Sequence, residues 1–347
     1  MRTNSNTLAA PFPWFGGKSG ACQTVWQAFG LVDNYVEPFA GSAAMLLGAP
    51  DGKRVETIND ADGLVANFWR ATAMDADAVA AAADWPCNET DLFARHSWLV
   101  RQRDALLEKL HADPAFYDAQ IAGWWCWGAC NWIGSRWCSG TGPWVHDGER
   151  ILDVRQLPHL GNSGQGINRK LPHLGDSGRG INRQLPHLGD SGRGGAHPRG
   201  AYIRDWFAAL QARMRDVRVT CGDWSRVAKD SVTTRHGLTA VFLDPPYTKG
   251  AMDYSAGGVG GELARDVQAW CAANGENKML RIVLCGHAGE HDALLQHGWH
   301  IREWTARKGY ALTDEAVARS ASETVWCSPH CVAPVLAQND LLAEAAA

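Results

Sequence analysis

The stretch VFLDPPYTKG, residues 241–250, contains the strand around which the predicted fold is built. Its apolar beginning is typical of a buried strand, and the strand ends on Asp244, Pro245, Pro246 and Tyr247. Prolines cannot continue a central strand, so a stiff turn must follow. The turn alone would explain these residues, but ligands of open α/β sheets also bind at the carboxyl ends of strands. The neighbouring segments have to distinguish a turn from a site.

Strands and helices alternate on both sides of this stretch. Apolar patterns predict strands at 34–37, 54–59, 217–221, 239–243, 279–285, 299–305 and 323–327, and helices at 43–47, 62–74, 202–214, 262–273 and 290–297. Such alternation is typical of βαβ units, which build a parallel sheet. We therefore predict an α/β fold in which the outer segments, residues 1–75 and 201–347, form one sheet domain.

Residues 76–200 do not continue this pattern and are predicted to form an inserted domain. Helices are expected at 91–110 and 114–132, followed by a loop at 134–148. The second helix is rich in tryptophan and apolar nearly all round. Exposed aromatic rings could stack on bases, but a helix this apolar is more typical of a core.

Three tandem copies of a fourteen-residue unit end the insert: LPHLGNSGQGINRK at 157–170, LPHLGDSGRGINRQ at 171–184 and LPHLGDSGRGGAHP at 185–198. Their glycine content leaves little to bury, which argues against a solenoid. Two interpretations remain, namely an expanded surface loop or a basic arm that lies along a phosphate backbone. The basic residues of such an arm are Arg169, Lys170, Arg179, Arg183 and Arg193.

The charge is unevenly distributed along the chain. Residues 150–235 hold fifteen Lys and Arg against seven Asp, a net charge of +8, within a chain whose net charge is −4. A basic segment on an acidic body is typical of a protein that binds a polyanion, although a solvated charged face would have the same composition.

The composition also restricts the class of protein. The chain is 46% hydrophobic and 20% charged, as globular proteins are. No run approaches the ~18 apolar residues of a membrane span, and no apolar secretory leader begins the chain. Ten cysteines are scattered, and their spacings at 126–138 and 327–331 do not match common zinc sites. We expect a cytoplasmic protein with reduced thiols, no metal and no membrane partner.

Two glycine-containing motifs lie near the first predicted strand. In PWFGGK, residues 13–18, Trp14 and Lys18 flank a glycine pair that includes Gly17. Glycine allows close backbone approach to a ligand, and the lysine could pair with a carboxylate. In VEPFAGSAAMLL, residues 36–47, a strand leads into a turn and a helix start, where free N–H groups favour a polar or anionic group.

Two acids follow other predicted strands. Asp60 ends the second strand about twenty residues after the glycine turn, where an acid typically binds ribose hydroxyls. Asp223, in VTCGDW at 219–224, ends another strand. Because the carboxyl ends of parallel strands meet at one edge of the sheet, these motifs predict a common ligand site.

In this order, PWFGGK, YVEPFAGSAAMLL, TINDAD, VTCGDW and LDPPY resemble the motifs of Dam-like DNA N6-adenine methyltransferases, the D12 class of bacteria and phages. The resemblance covers both outer segments, and WCWGACNWIGSRW is similar to the start of that family's target-recognition region. The repeats depart from the pattern, as do residues 42–44, Ser-Ala-Ala, where the family more often has Gly-Ser-Gly. The resemblance implies a Rossmann-like methyltransferase sheet, parallel-rich with an antiparallel C-terminal hairpin.

The resemblance implies S-adenosylmethionine as the methyl donor. Trp14, Lys18 and Glu37 are then expected at its amino-acid end, Asp60 at its ribose and Asp223 at its adenine amino group. The full set of residues expected to bind it is Trp14, Gly17, Lys18, Glu37, Phe39, Gly41, Ser42, Asp60, Asp223 and Asp244.

The implied acceptor is the N6 amine of adenine in double-stranded DNA. This nitrogen is a poor nucleophile because its lone pair is delocalised into the ring. The Asp244 carboxylate and the Pro245 carbonyl would accept hydrogen bonds from its two N–H groups and stabilise developing positive charge, with Pro246 helping to fix the turn. Tyr247 offers a ring on which an extruded base can stack. Arg136 and the basic residues of the repeats are expected to contact the DNA.

Two alternatives to adenine methylation remain open. Methyl transfer to cytosine N4 also modifies an exocyclic amine. Enzymes of that class more often have Ser-Pro-Pro-Tyr at this position, so Asp244 disfavours this alternative. A DNA-binding relative without turnover is the other, and the intact donor and acceptor positions disfavour it. The expected oligomeric state is a monomer.

Deleting residues 171–184 tests the two interpretations of the repeats. The deletion removes Arg179 and Arg183, so the slope of log K against log salt for DNA binding should shrink by up to about 2, at ~0.9 per phosphate contact. The methylated sequence and the turnover at saturating DNA should not change. An unchanged slope would support a surface loop, and a new methylated sequence would show that the arm reads bases.

Overall fold

A computed structural model describes eight stretches of the chain: residues 8–14, 18–132, 137–138, 144–146, 151–153, 199–246, 260–302 and 323–333. The tandem repeats at 157–198 lie outside these stretches, so both interpretations of them stay predictions. Within the described residues, no helix is long and apolar enough to cross a membrane.

The first part of the chain alternates helices and strands. In order, these are α1 (Cys22–Phe29), β1 (Asn34–Glu37), α2 (Ala44–Leu47), β2 (Val55–Asp60) and α3 (Gly63–Met74). The start of α3 is defined by Asp62, whose carboxylate accepts a hydrogen bond from the backbone N–H of Leu64, as an N-cap residue does.

The middle of the chain contributes three helices and a small hairpin. The helices are α4 (Ala76–Ala83), α5 (Glu89–Ala112) and α6 (Ala119–Asn131), and the hairpin consists of β3 (Trp144–His146) and β4 (Ile151–Asp153). Asp75, Asn88 and Asp118 cap the three helices in the same manner as Asp62 caps α3. The loop predicted at 134–148 is therefore wrong in part, because residues 144–146 form a strand that pairs antiparallel with β4.

The rest of the chain returns to alternating elements. These are α7 (Arg199–Met214), β5 (Arg218–Cys221), β6 (Thr239–Leu243), α8 (Gly260–Asn274), β7 (Leu280–His287), β8 (His300–Arg302) and β9 (Glu323–Cys327). The helix predicted at 290–297 is instead a short 3-10 helix over Asp292–His297.

Seven strands form one mixed sheet in the order β5-β2-β1-β6-β7-β9-β8. The first five strands of this order are parallel, and β9 runs antiparallel to both β7 and β8. The predicted α/β class, the parallel-rich sheet and its antiparallel C-terminal part are confirmed. This arrangement is compatible with a Rossmann-like fold, and the strand order reverses between β1 and β6, which is where such sheets bind ligands.

Alternating side chains of the central strands point into two different cores. On β6, Ala240 and Phe242 belong to one core, while Val241 and Leu243 belong to the other. Both faces of the strand are therefore covered, as expected for parallel strands that read as continuous apolar runs. The second core is completed by residues such as Val267 of α8.

Helices α4, α5 and α6 pack onto the first of these cores. Val79, Leu99 and Ile121, one from each helix, are buried in the same cluster as Phe68 of α3 and Phe207 of α7. Residues 76–131 therefore share a core with the sheet. The Trp-rich helix α6 is confirmed as a core element, since Trp125 and Trp127 are buried.

Ala43 is a point of backbone strain in the turn between β1 and α2. It adopts the left-handed conformation, with φ 49° and ψ 33°, and is fully buried. This conformation costs a residue with a Cβ about 1–2 kcal/mol. The turn between β1 and α2 is therefore locally strained at this residue.

Ala43→Gly should change the free energy of unfolding by less than about 1 kcal/mol, because relief of strain offsets the loss of a buried methyl group and the added freedom of the unfolded chain. Ala71→Gly is the matched control, because Ala71 is equally buried but lies within α3. It should lose about 1–2 kcal/mol. Urea unfolding measures both variants, and equal losses would contradict strain at Ala43.

Candidate functional site

A pocket of about 130 Å³ lies at the carboxyl ends of β1, β2 and β6, where the strand order reverses. Nine of the residues predicted from sequence line it: Trp14, Lys18, Glu37, Phe39, Gly41, Ser42, Asp60, Asp244 and Pro246. These residues come from both outer segments of the chain. The structure therefore brings together most of the predicted site, including residues more than two hundred positions apart in the sequence.

The remaining predicted residues lie elsewhere or outside the described chain. Pro245 is buried beside the pocket without lining it. Asp223 is exposed, and its Oδ1 accepts hydrogen bonds from the backbone N–H and the hydroxyl of Ser225, at 2.9 and 2.5 Å. The predicted residues outside the described chain are Gly17, Arg136, Arg169, Lys170, Arg179, Arg183, Arg193 and Tyr247.

The turn after β1 has its shape because of Gly41. This residue has a φ of +46°, and a Cβ placed on it would lie 2.3 Å from Nε1 of Trp14. Its carbonyl accepts a hydrogen bond from Nε1 of Trp69 at 2.8 Å. Only glycine fits between the two indoles without displacing one. The glycine of this motif thus lets an aromatic ring close over the turn.

Asp60 joins this turn to the start of α3. Its Oδ2 accepts the N–H of Gly41 and its Oδ1 accepts the N–H of Asp62, both at 2.9 Å. Burial raises the pKa of Asp60 to about 7, although these backbone N–H groups act in the opposite direction. A carboxylate has about four lone-pair sites and Asp60 lines the pocket, so Asp60 could still accept a hydrogen bond from a ligand hydroxyl.

Glu37 ends β1 and is almost fully buried, with 2% of its surface exposed. Its Oε2 accepts a hydrogen bond from the hydroxyl of Tyr35 at 2.9 Å. Burial is the main cause that raises the pKa of Glu37 to about 8, and the neighbouring carboxylates of Asp244 and Asp60 contribute to this rise. A buried acid with such a pKa in a pocket is a candidate for binding a cation or a donor group.

Lys18 faces the same acids from the other wall. Its Nζ lies 3.3 Å from Oδ1 of Asp244, and the two side chains are 4% and 22% exposed. The sequence predicted Lys18 at the carboxylate of a ligand and Asp244 at an amine. In the structure they are paired with each other.

Aromatic rings form the remaining walls. Trp14 packs near Phe12 and Trp125, with ring centroids 6.0 and 6.3 Å apart. Phe39 stacks on Trp224 at 6.1 Å and an interplanar angle of 27°. The second contact connects the pocket to the turn that contains Asp223, because Trp224 is the next residue.

Sequence reasoning missed several residues of the lining, among them Asp62, Phe242 and Leu263. Asp62 carried a signal, since an acid directly before an apolar helical pattern predicts an N-cap. Phe242 could have been found from the alternation along β6, which places it on the same face as Ala240. Leu263 comes from α8, and no local pattern relates that helix to the ends of β1 and β2.

A larger cavity, of about 450 Å³, lies beside the edge strand β5. Two arginines line it, but Arg70 donates to the carbonyls of Leu110 and Asp113 near the end of α5, and Arg226 donates to the carbonyl of Cys221. The two arginines therefore satisfy backbone carbonyls at the ends of α5 and β5. The larger cavity lacks the convergent acids of the smaller pocket. The smaller pocket is therefore the better candidate for a functional site despite its size.

The described residues contain no group of three or more His, Cys, Asp or Glu side chains that could hold a metal ion. Comparison with known proteins does not identify the chain. No protein-family model matches it, and a search of curated proteins finds no match.

The raised pKa of Glu37 predicts how stability depends on pH. The folded protein holds this proton up to about pH 8, whereas the ordinary pKa is 4.5. The stability is therefore greatest below the ordinary pKa and falls as the pH rises toward 8. Glu37→Gln should flatten the fall between pH 7 and 8, above the pKa of Asp60.

Unfolding free energies at pH 5, 6, 7 and 8 measure this effect. Glu262→Gln is the control, because it makes the same change at an exposed position at the start of α8. It should leave the curve of the wild-type protein unchanged. A wild-type curve that stays level from pH 5 to 8 would contradict the raised pKa.

Proposed function

We propose that this protein is an S-adenosylmethionine-dependent DNA methyltransferase that modifies N6 of adenine in double-stranded DNA by base flipping. One observation carries the proposal. The acid of the DPPY sequence, Asp244, lies in one pocket with Glu37 and Asp60, the acids that end β1 and β2. Acceptor-type and donor-type residues therefore share a single cleft at the strand-order reversal.

The residues of the pocket fit the proposed donor. When bound, S-adenosylmethionine supplies an electrophilic methyl group on a positively charged sulfur. The acids Glu37 and Asp60 suit its cationic and hydroxyl groups, and Lys18 suits its carboxylate. The aromatic side chains of Trp14 and Phe39 suit its apolar and planar parts. Charged and aromatic groups are thus both present in the lining.

Two raised pKa values in the pocket are consistent with a cationic ligand. Burial raises the pKa of Glu37 to about 8 and of Asp60 to about 7. A cation beside either carboxylate would favour its ionised form. The pocket therefore gains electrostatic stabilisation from a positively charged ligand that it cannot obtain from a neutral one.

The end of β6 supports the acceptor half of the proposal. The strand is buried over its whole length, so it holds Asp244 in a fixed position at the pocket. Pro245, buried directly after it, has a restricted φ, which limits the directions its carbonyl can take. A carboxylate and a carbonyl held in this way can accept hydrogen bonds from the two N–H groups of an exocyclic amine and stabilise the charge that develops on its nitrogen.

Binding of DNA is proposed from the sequence. The segment 150–235 has a net charge of +8 within a chain whose net charge is −4, and such a segment suits a phosphate backbone. An adenine inside a duplex cannot reach a pocket at the edge of a sheet, so the target base must be extruded. Tyr247, three residues after Asp244, is the proposed stacking partner.

The proposal predicts methyl transfer to unmodified duplex DNA. Incubation with isotopically labelled S-adenosylmethionine, followed by sequencing for modified bases, identifies both the base and its sequence context. N6-methyladenine at one recurring sequence is the expected product. Label on cytosine N4 would favour the alternative acceptor, and DNA binding without transfer would indicate an inactive relative.

Asp244→Asn tests the role of the acid in the same assay. The variant should still bind DNA and the donor, but turnover should fall by about 10² or more, the effect of losing one preorganised electrostatic partner. Asp230→Asn makes the same change at an exposed position and should keep full turnover. Near-normal turnover of Asp244→Asn would remove this acid from the mechanism.

A further inference from the structure

The ion pair between Lys18 and Asp244 crosses the pocket between two distant parts of the chain. Lys18 precedes α1, and Asp244 follows β6. The lysine is nearly buried, at 4% exposure, and its Nζ lies 3.3 Å from Oδ1 of the acid.

Among the described residues that line the pocket, Lys18 is the one cation in the company of four acids: Glu37, Asp60, Asp62 and Asp244. The other three acids have further contacts. Tyr35 donates to Glu37, Gly41 and Asp62 donate from their backbone to Asp60, and Arg103 lies 3.4 Å from Asp62. The charge of Lys18 therefore lies beside Asp244, in a lining that is otherwise acidic.

An anionic ligand group would enter this acidic lining against repulsion unless Lys18 contacted it. An ammonium group interacts as a compact charge, so a second anion competes with Asp244 for it. Asp244 has a competing use as well, because Oδ1 already faces Lys18 while the proposed acceptor amine also needs this carboxylate. One contact thus occupies two groups that two different ligands require.

We propose that Lys18 is a positioning residue that exchanges between Asp244 and the carboxylate of the donor, so that donor binding releases Asp244 for the acceptor amine. The inference rests on the proposed function and adds a coupling between binding of the methyl donor and binding of the acceptor amine. Such a coupling makes the free energy of donor binding depend on Asp244, although the proposed role of that acid is to bind the acceptor amine.

Binding calorimetry on the full chain tests this exchange with two probes that differ in one carboxylate, S-adenosylmethionine and decarboxylated S-adenosylmethionine. In Asp244→Asn, Lys18 no longer has to leave an anion, so S-adenosylmethionine should bind about fivefold more tightly, the lower range of such couplings. The affinity for the decarboxylated probe should not rise. In Lys18→Met, adding Asp244→Asn should not tighten S-adenosylmethionine.

The double variant separates the exchange from simple repulsion, because removing a negative charge would favour an anionic ligand whether or not Lys18 is present. Tightening that persists in the Lys18→Met background would therefore overturn the exchange. So would equal tightening for both probes. Lys18→Gln provides a second background if Lys18→Met does not fold.

Asp62→Asn measures the effect of removing another acid from the same lining, one that lies beside Arg103. The asparagine can still cap α3. Less than twofold tightening of S-adenosylmethionine is expected, because Arg103 already lies beside this acid. A fivefold effect would count against the proposed exchange of Lys18. Failure of the wild-type protein to bind either probe would overturn the proposed function itself, whereas failure of the exchange alone leaves wild-type binding intact.

Discussion

The geometry of the pocket depends on the carboxylate of Asp60, which holds two loops at once. It accepts one backbone N–H from the turn after β1 and another from the residue that caps α3. The ends of two neighbouring strands are thereby fixed to each other within hydrogen-bond distance. Once the first turn is held, Gly41 lies where only a residue without a Cβ fits beneath Trp14. The aromatic wall and the floor of the pocket both follow from this one bridge.

Electrostatics follow from the same arrangement. Strand ends that converge bring Glu37, Asp60 and Asp244 together, and acids so placed disfavour one another's ionised forms. The raised pKa values of the first two are a direct result of burial at this convergence. A cation or a proton bound at these carboxylates reduces this repulsion. Binding and protonation are therefore linked at the same carboxylates.

Much of the sheet could be predicted from the sequence, because strands such as β1 and β6 are short stretches rich in apolar residues that turn residues follow, Pro38 after β1 and Asp244-Pro245 after β6. β1 and β6 have the predicted limits, and their terminal acids meet as expected. The helix α4 was missed because its sequence, ADAVAAAA, has too little contrast between its faces to show a period. The contact of Lys18 with Asp244 could not be predicted either. It depends on the approach of two segments whose relative position is set by the whole sheet, and no local spacing encodes it.

The shared core of α4, α5 and α6 with the sheet has a consequence for the design of chimeras between this protein and another with the same sheet. A chimera joined at residue 75 would split a cluster that includes Phe68, Val79 and Ile121, and both parents' cores would be left with unmatched side chains. A junction after Asn131, where α6 ends, would still separate α6 from buried residues that follow it, among them Trp132 and Cys138. The residues that cannot be exchanged without repacking the interior therefore extend past the end of α6, well beyond the change in sequence pattern near residue 75. The limits of an exchangeable segment are therefore set by the packing of the core and not by the change in sequence pattern.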